Sequence, residues 1–144
     1  MDLALVEARL ALAHGDVPVG AVVLRDGRML ARRHNERQLQ ADPTAHAEVL
    51  ALRDAARQLG SWRLDGTTMV VTLEPCLMCA GALVNSRVNR LVFATPDPKA
   101  GATGSLYNVL VDPRLNHEVS VSVGPGGTEA AGLLRQFFAD RRNR

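Results

Sequence analysis

Cysteine is scarce in this chain: two residues among 144, both in one CxxC pair. That excludes the multi-bridge disulfide framework of a small secreted domain. A reducing cytoplasm fits best, because thiolates that serve as metal ligands must stay reduced. No apolar run is long enough to cross a bilayer. The opening stretch MDLALVEARLALAHGD carries Asp2, Glu7 and Arg9, and lacks the basic-then-apolar order of a signal peptide. Charge of one sign is also missing in bulk. The formal net charge is +2, too small an excess to establish nucleic-acid binding. Lysine is nearly absent: of the 17 basic residues, only Lys99 is not an arginine. No repeat, linker or low-complexity tract divides the chain. What is there is apolar content of 47%, enough for a hydrophobic core, and a length that suits one domain over residues 1–144.

Periodicity predicts the elements. Residues 2–14 read as an amphipathic helix with Leu3, Val6, Leu10 and Ala13 on one stripe. VGAVVL (19–24) reads as a buried strand, and Asp26-Gly27 as a hairpin turn returning an antiparallel strand over 28–34. Residues 35–43 form a polar loop. Asp42 or Thr44 is a candidate cap for a helix running to about residue 58, stopped by Gly60. Strands follow at 67–73, 89–95 and 119–123. A helix is expected over about 75–84 with Pro75 at an early position, a short helical stretch at 105–110, and a last helix from Thr128 or Glu129 to about Asp140. This order predicts an α/β protein, a three-layer α/β/α sandwich with helices on both faces of a mixed sheet.

Two segments carry chemistry, TAHAEVL around His46 and TLEPCLMCAGAL around Cys76 and Cys79. Residues i and i+3 share a helix face, so both sulfurs can reach one ion. The N–H groups at a helix start favour thiolate over thiol. One histidine and two cysteines can hold zinc and leave its fourth position open to water. No further cysteine or histidine stands at ligand spacing, which favours an open site over a closed structural one. Glu48, two residues beyond His46, is poorly placed as a co-ligand but can project over the open side and move protons. The CxxC pair alone also reads as a redox pair or half a structural zinc site. Glu48 alone would be a surface acid. Together with HAE and the proline before the first cysteine, the pattern points to hydrolytic removal of an amino group from a base. Glu74 reads as a cap or a structural carboxylate.

HxE followed by PCxxC resembles the zinc-dependent nucleobase deaminases. VPVGAVV (17–23), DPTAHAEVLALR (42–53), VTLEPCLMCAGAL (71–83) and DPKAGATGSLYNVL (97–110) resemble more closely the bacterial tRNA-specific adenosine deaminases. LNH (115–117) and the FF pair (137–138) extend the likeness over nearly the whole chain. The resemblance implies a cytidine deaminase-like fold with a five-stranded sheet and a homodimer with its active sites near the subunit interface. It implies conversion of adenosine to inosine at the wobble position of tRNA-Arg(ACG), by zinc-activated water. His46, Cys76 and Cys79 would then hold one Zn2+ per subunit, and Glu48 would shuttle protons. Asn35 and Ala47 would meet the flipped base. Asp97, Lys99, Phe138, Arg141 and Arg142 would lie along the tRNA anticodon stem-loop.

Each outer residue also has a plain reading. Asn35 can close a loop, Asp97 can make a turn between two prolines, Phe138 can be core, and Arg141 and Arg142 can be solvated tail charges. Two other functions use the same motifs. A deaminase of a free base or nucleoside needs the same zinc and glutamate. A non-catalytic zinc-stabilised RNA-binding module needs the zinc but has no use for Glu48.

Overall fold

The computed structural model describes residues 1–144. Five strands, β1 (Gly20–Arg25), β2 (Arg28–His34), β3 (Thr67–Leu73), β4 (Arg90–Thr95) and β5 (Ser120–Val123), form one mixed sheet in the order β2-β1-β3-β4-β5. β1 runs antiparallel to both its neighbours, while β3, β4 and β5 are parallel. The hairpin turns at Asp26 and Gly27, both with positive φ (52° and 74°), the left-handed conformation that matches strand twist.

The longer helices are α1 (Asp2–Ala11), α3 (Ala47–Leu59), α4 (Leu77–Ser86) and α5 (Gly127–Arg142), with a four-residue α2 (Arg37–Gln40) between β2 and α3. Strand alternation sorts them into layers. Ala21, Val23, Met69, Val71, Leu91 and Phe93 face α3 and α4 in the main core. Val22 and Val70 face Ala4 of α1 on the opposite side, and Ala94 meets Leu5 of α1 and Ala130 of α5. The three-layer α/β/α sandwich with a mixed five-stranded sheet is therefore present.

Several local expectations change. In α1 the buried face is Ala4, Leu5, Glu7, Ala8 and Ala11, whereas Leu3, Val6 and Leu10 stand exposed. The cause is a close approach. A β-carbon on Gly20 would meet the Ala4 carbonyl and come within 2.6 Å of the Ala8 nitrogen, so only the small side chains of α1 can sit against β1. Neither Asp42 nor Thr44 caps α3: Asp42 Oδ1 accepts from the Thr44 N–H and hydroxyl in a turn, and the helix starts at Ala47. Pro75 lies before α4 because Cys76 pairs as a bridge with Gly101. The helical stretch expected at 105–110 is a single 3-10 turn at Val109–Val111.

Candidate active site

The starts of α3 and α4 lie side by side at one end of the sheet. His46 is the residue before α3, Cys76 the residue before α4, and Cys79 the third residue of α4. His46 Nδ1 lies 3.7 Å from Cys76 Sγ and 3.5 Å from Cys79 Sγ. Zinc bound tetrahedrally at ordinary Zn–S and Zn–N lengths would hold such atoms about 3.6 Å apart, so the donor set is already spaced for an ion. The charges lead to the same conclusion. Without a cation, the Cys79 thiol donates to the Cys76 sulfur, which outweighs burial and with His46 brings Cys76 down to about 3. The same contact, together with burial, pushes Cys79 up. Both sulfurs can ionise together only with a cation between them, and His46, Cys76 and Cys79 could hold one.

Glu48 sits in the first turn of α3, buried, with its carboxylate against Cys79. Burial pushes its pKa up, against an opposing pull from its own backbone N–H and from His46. A carboxyl with raised pKa beside an open metal position is suited to take and return a proton.

His46, Cys76 and Glu48 open into a cleft of about 1130 Å³. Asn35, Asp97, Lys99, Phe138, Arg141 and Arg142 also line it. Asn35 is buried, and its amide is already engaged: Nδ2 donates to the Val17 carbonyl (3.1 Å), and Oδ1 accepts the Ala47 N–H (2.8 Å). It thus supplies, from another element, the acceptor for α3 that the residues just before the helix do not provide. Ala47 itself packs into the main core and does not line the cleft. Asp97 Oδ1 accepts the Lys99 and Ala100 N–H groups and shapes a turn, leaving Lys99 exposed. Phe138 is 45% exposed. Arg141 donates to the Gly15 carbonyl (2.9 Å) and lies over the Phe137 ring, whereas Arg142 has no such tie.

Glu74 is neither a second acid nor a helix cap. It accepts the N–H groups of Asp97 (3.0 Å), Thr103 (3.1 Å) and Ser105 (3.1 Å), and the Ser105 hydroxyl. Burial alone would raise its pKa, but these donors from Ser105, Asp97 and Thr103 together lower it. It thereby fixes the 97–105 loop, one wall of the cleft. Arg37 and Arg135 complete the cationic rim. Arg37 falls in a basic segment, but the isolated Arg135 carries no motif and reaches the rim only through the docking of α5.

Residues 1–142 match the MafB19-like deaminase family. The chain is 46% identical to a tRNA-specific adenosine deaminase of Bacillus subtilis (strain 168), over all of this chain and 89% of that one. It is 43% identical to the protein of the same name from Aquifex aeolicus (strain VF5), over 99% of this chain and 94% of that one. A solved structure from studies of A-to-I editing by tRNA:A34 deaminases at the wobble position superposes with a TM-score of 0.90 and 44% identity, covering 93% and 97% of the two chains. A guanine deaminase from Nitrosomonas europaea gives 0.82 at 27% identity, covering 96% and 82%.

Proposed function

Because the chain belongs to the MafB19-like deaminases, and within them to the tRNA-specific adenosine deaminases, we propose that it converts the wobble adenosine of tRNA-Arg(ACG) to inosine. The observation that carries this reading is the buried Glu48 beside an open His46–Cys76–Cys79 donor set, at the floor of a cleft with a cationic rim. Water adds at C6 of the adenine ring, the C6–N bond breaks, and ammonia leaves. Zinc held by His46, Cys76 and Cys79 would supply a water that loses its proton near neutral pH. Glu48 would take that proton and deliver it to ring N1, then take the proton of the new C6 hydroxyl and pass it to the departing amine, leaving the C6 carbonyl of inosine. Its burial supports the first transfer, since a carboxylate with raised pKa is a stronger base toward water. His46, Cys76 and Cys79 stay fixed because each sits at the start of a helix anchored to the sheet.

The rim supports a polynucleotide substrate. Arg37, Lys99, Arg135 and Arg142 are exposed around the mouth, where they can meet phosphates. Phe138 offers an exposed ring on which an unpaired base can stack. A homodimer is part of the reading. Leu77 and Met78 at the start of α4, and Leu106 and Tyr107 in the loop bridged to it, are exposed next to the cleft. We place the enzyme in the cytoplasm, where tRNA is; no helix is long and apolar enough to cross a membrane.

Deamination of a free base is the second reading, favoured by the likeness to the guanine deaminase. The test is inosine formation in tRNA-Arg(ACG) by the zinc-loaded protein, with free guanine, cytosine and adenosine in parallel. Inosine in the tRNA alone is expected. Turnover of a free base alone would keep the zinc chemistry and overturn the substrate.

A further inference from the structure

A chain of polar side chains runs behind the cleft, outside the metal site. Glu7 of α1 is buried and accepts from Arg32 Nε (2.7 Å) and His34 Nδ1 (2.7 Å). Asp16 is buried and accepts from His14 Nδ1 (2.6 Å) and from the backbone N–H groups of Gln38 (2.9 Å) and Leu39 (3.3 Å). The two imidazoles meet through their Nε2 atoms, 3.1 Å apart, with ring centroids 5.2 Å apart.

Donor accounting fixes the protons. Despite burial, the donors from His34 and Arg32 lower the pKa of Glu7, and those from Gln38, His14 and Leu39 lower that of Asp16. Both carboxylates therefore accept, and both Nδ1 atoms carry hydrogen. Two neutral rings would then point Nε2 lone pairs at each other at 3.1 Å, which is repulsive. A single proton between them turns the contact into a charge-assisted hydrogen bond. The nearly head-on meeting of the rings suits that bond. The local charge also closes: Glu7 and Asp16 are balanced by Arg32 and the one shared proton. The remaining nearby acid, Glu36, lies 3.9 Å from His34 Nε2 and is paired with Arg33, which also holds Asp54. From α5, Arg141 donates to the Gly15 carbonyl, and Asp140 lines a small pocket with Leu12 and Gly15.

We propose that His14 and His34 share one proton and act as the positioning pair for the wall of the cleft formed by Val17, Asn35 and Arg37. The links are direct. His34 precedes Asn35 in the chain. Asp16 precedes Val17, whose carbonyl receives the Asn35 amide, and Asp16 anchors the backbone just after Arg37. Loss of the shared proton parts the rings and frees Asp16 and α2. Glu48 and the metal donors sit at the starts of α3 and α4 and meet this chain of bonds through the Ala47 N–H, which donates to Asn35 Oδ1. Raising the pH through the titration of the pair therefore weakens substrate binding more than the chemical step. The sign follows from the geometry: one proton bridges the two Nε2 atoms, and its loss leaves two lone pairs opposed at 3.1 Å.

The kinetic part rests on the tRNA-deaminase reading, so the test has an independent arm. Side-chain 15N spectra of the zinc-loaded protein between about pH 6 and 8.5 are expected to show both Nδ1 atoms protonated and a single Nε2 proton lost by the two rings as a unit. Protection of the Gln38 and Leu39 amides, relative to their intrinsic exchange rates, should fall with it. Two independently titrating rings, or Nδ1 without hydrogen, would overturn the proposal. In the second arm, KM for an anticodon stem-loop should rise about tenfold across that range, the factor for one charge-assisted hydrogen bond, with kcat changing less. His14→Leu should have the high KM at every pH. His14→Gln, whose amide can donate to His34 without titrating, should hold a low KM that no longer depends on pH. Identical KM profiles in wild type and both variants would sink the positioning role. A shared proton and pH-dependent amide protection, without any turnover of RNA, would retain the pair as an anchor of this wall and overturn the tRNA reading instead.

Discussion

Replacing Glu74 by glutamine should loosen the cleft while sparing every reacting group. The native carboxylate accepts four hydrogen bonds, two at each oxygen: Asp97 N–H and Ser105 hydroxyl at Oε1, Thr103 N–H and Ser105 N–H at Oε2. Glutamine keeps the shape but turns one oxygen into an NH2 group that cannot accept. The less harmful orientation places the NH2 at Oε1, because the Ser105 hydroxyl can rotate to receive from it. The Asp97 N–H then has no acceptor, and the two bonds at the other oxygen lose their charge assistance. An orphaned donor costs about 1–3 kcal/mol, and each weakened bond about 1 kcal/mol, so the expected loss is about 3–5 kcal/mol. Local release of the 97–105 loop limits how much of this reaches global unfolding. The assay is therefore double: urea unfolding of the zinc-loaded protein, and amide exchange at Asp97, Thr103 and Ser105. Exchange at those three amides should rise by two orders of magnitude or more, about 1.4 kcal/mol per tenfold, and KM for RNA should rise. Unchanged unfolding and unchanged exchange would refute the assignment of Glu74 as the anchor of this wall.

Other outcomes follow from the same geometry. Gly20→Ala should destabilise by about 2 kcal/mol or more, as overpacked sites do, because the added carbon meets the Ala4 carbonyl and Ala8 nitrogen; a thermal midpoint equal to wild type would contradict the packing described for α1. Stability should fall with acid. Glu7, Asp16 and Glu74 have carboxyl pKa values lowered by their donors, so their contribution is present above the unfolded-chain values and lost as pH drops through the lower folded ones. Urea unfolding between about pH 5 and 2 should show this, with a smaller slope in Glu74→Gln than in wild type, a difference that cancels acid release of metal. Arg142→Gln should weaken RNA binding and reduce the steepness of its salt dependence by about one unit of log–log slope; an unchanged slope would place Arg142 outside the RNA footprint.

The candidate metal site was legible because its signals are local. The spacing of Cys76 and Cys79 on one helix start, and of His46 and Glu48 on another, needs only the helix period and the chemistry of thiolates. The strands at 28–34 and 67–73 were equally readable, the first from the Asp26-Gly27 turn signal. What could not be read depends on contacts across the fold. The leucines of α1 look like its buried face until Gly20 admits only Ala4 and Ala8. The start of α3 depends on Asn35, twelve residues earlier in the chain, and the start of α4 on Gly101. Glu74 reads as a cap or a structural carboxylate, and only the returning loop placed around it decides for the second. The pairing of His14 with His34 depends on the docking of α1 against β2, and neither residue has a spacing that announces the other.

The most direct measurement of the central chemistry compares Glu48→Gln with wild type, by zinc content and by inosine formed in tRNA-Arg(ACG). The substitution leaves His46, Cys76 and Cys79 in place. One zinc per subunit and an unchanged fold are therefore expected, with turnover reduced by about 10²–10⁴-fold, the range for loss of a positioned acid–base group. Full zinc occupancy with near wild-type turnover would contradict Glu48 as the proton carrier.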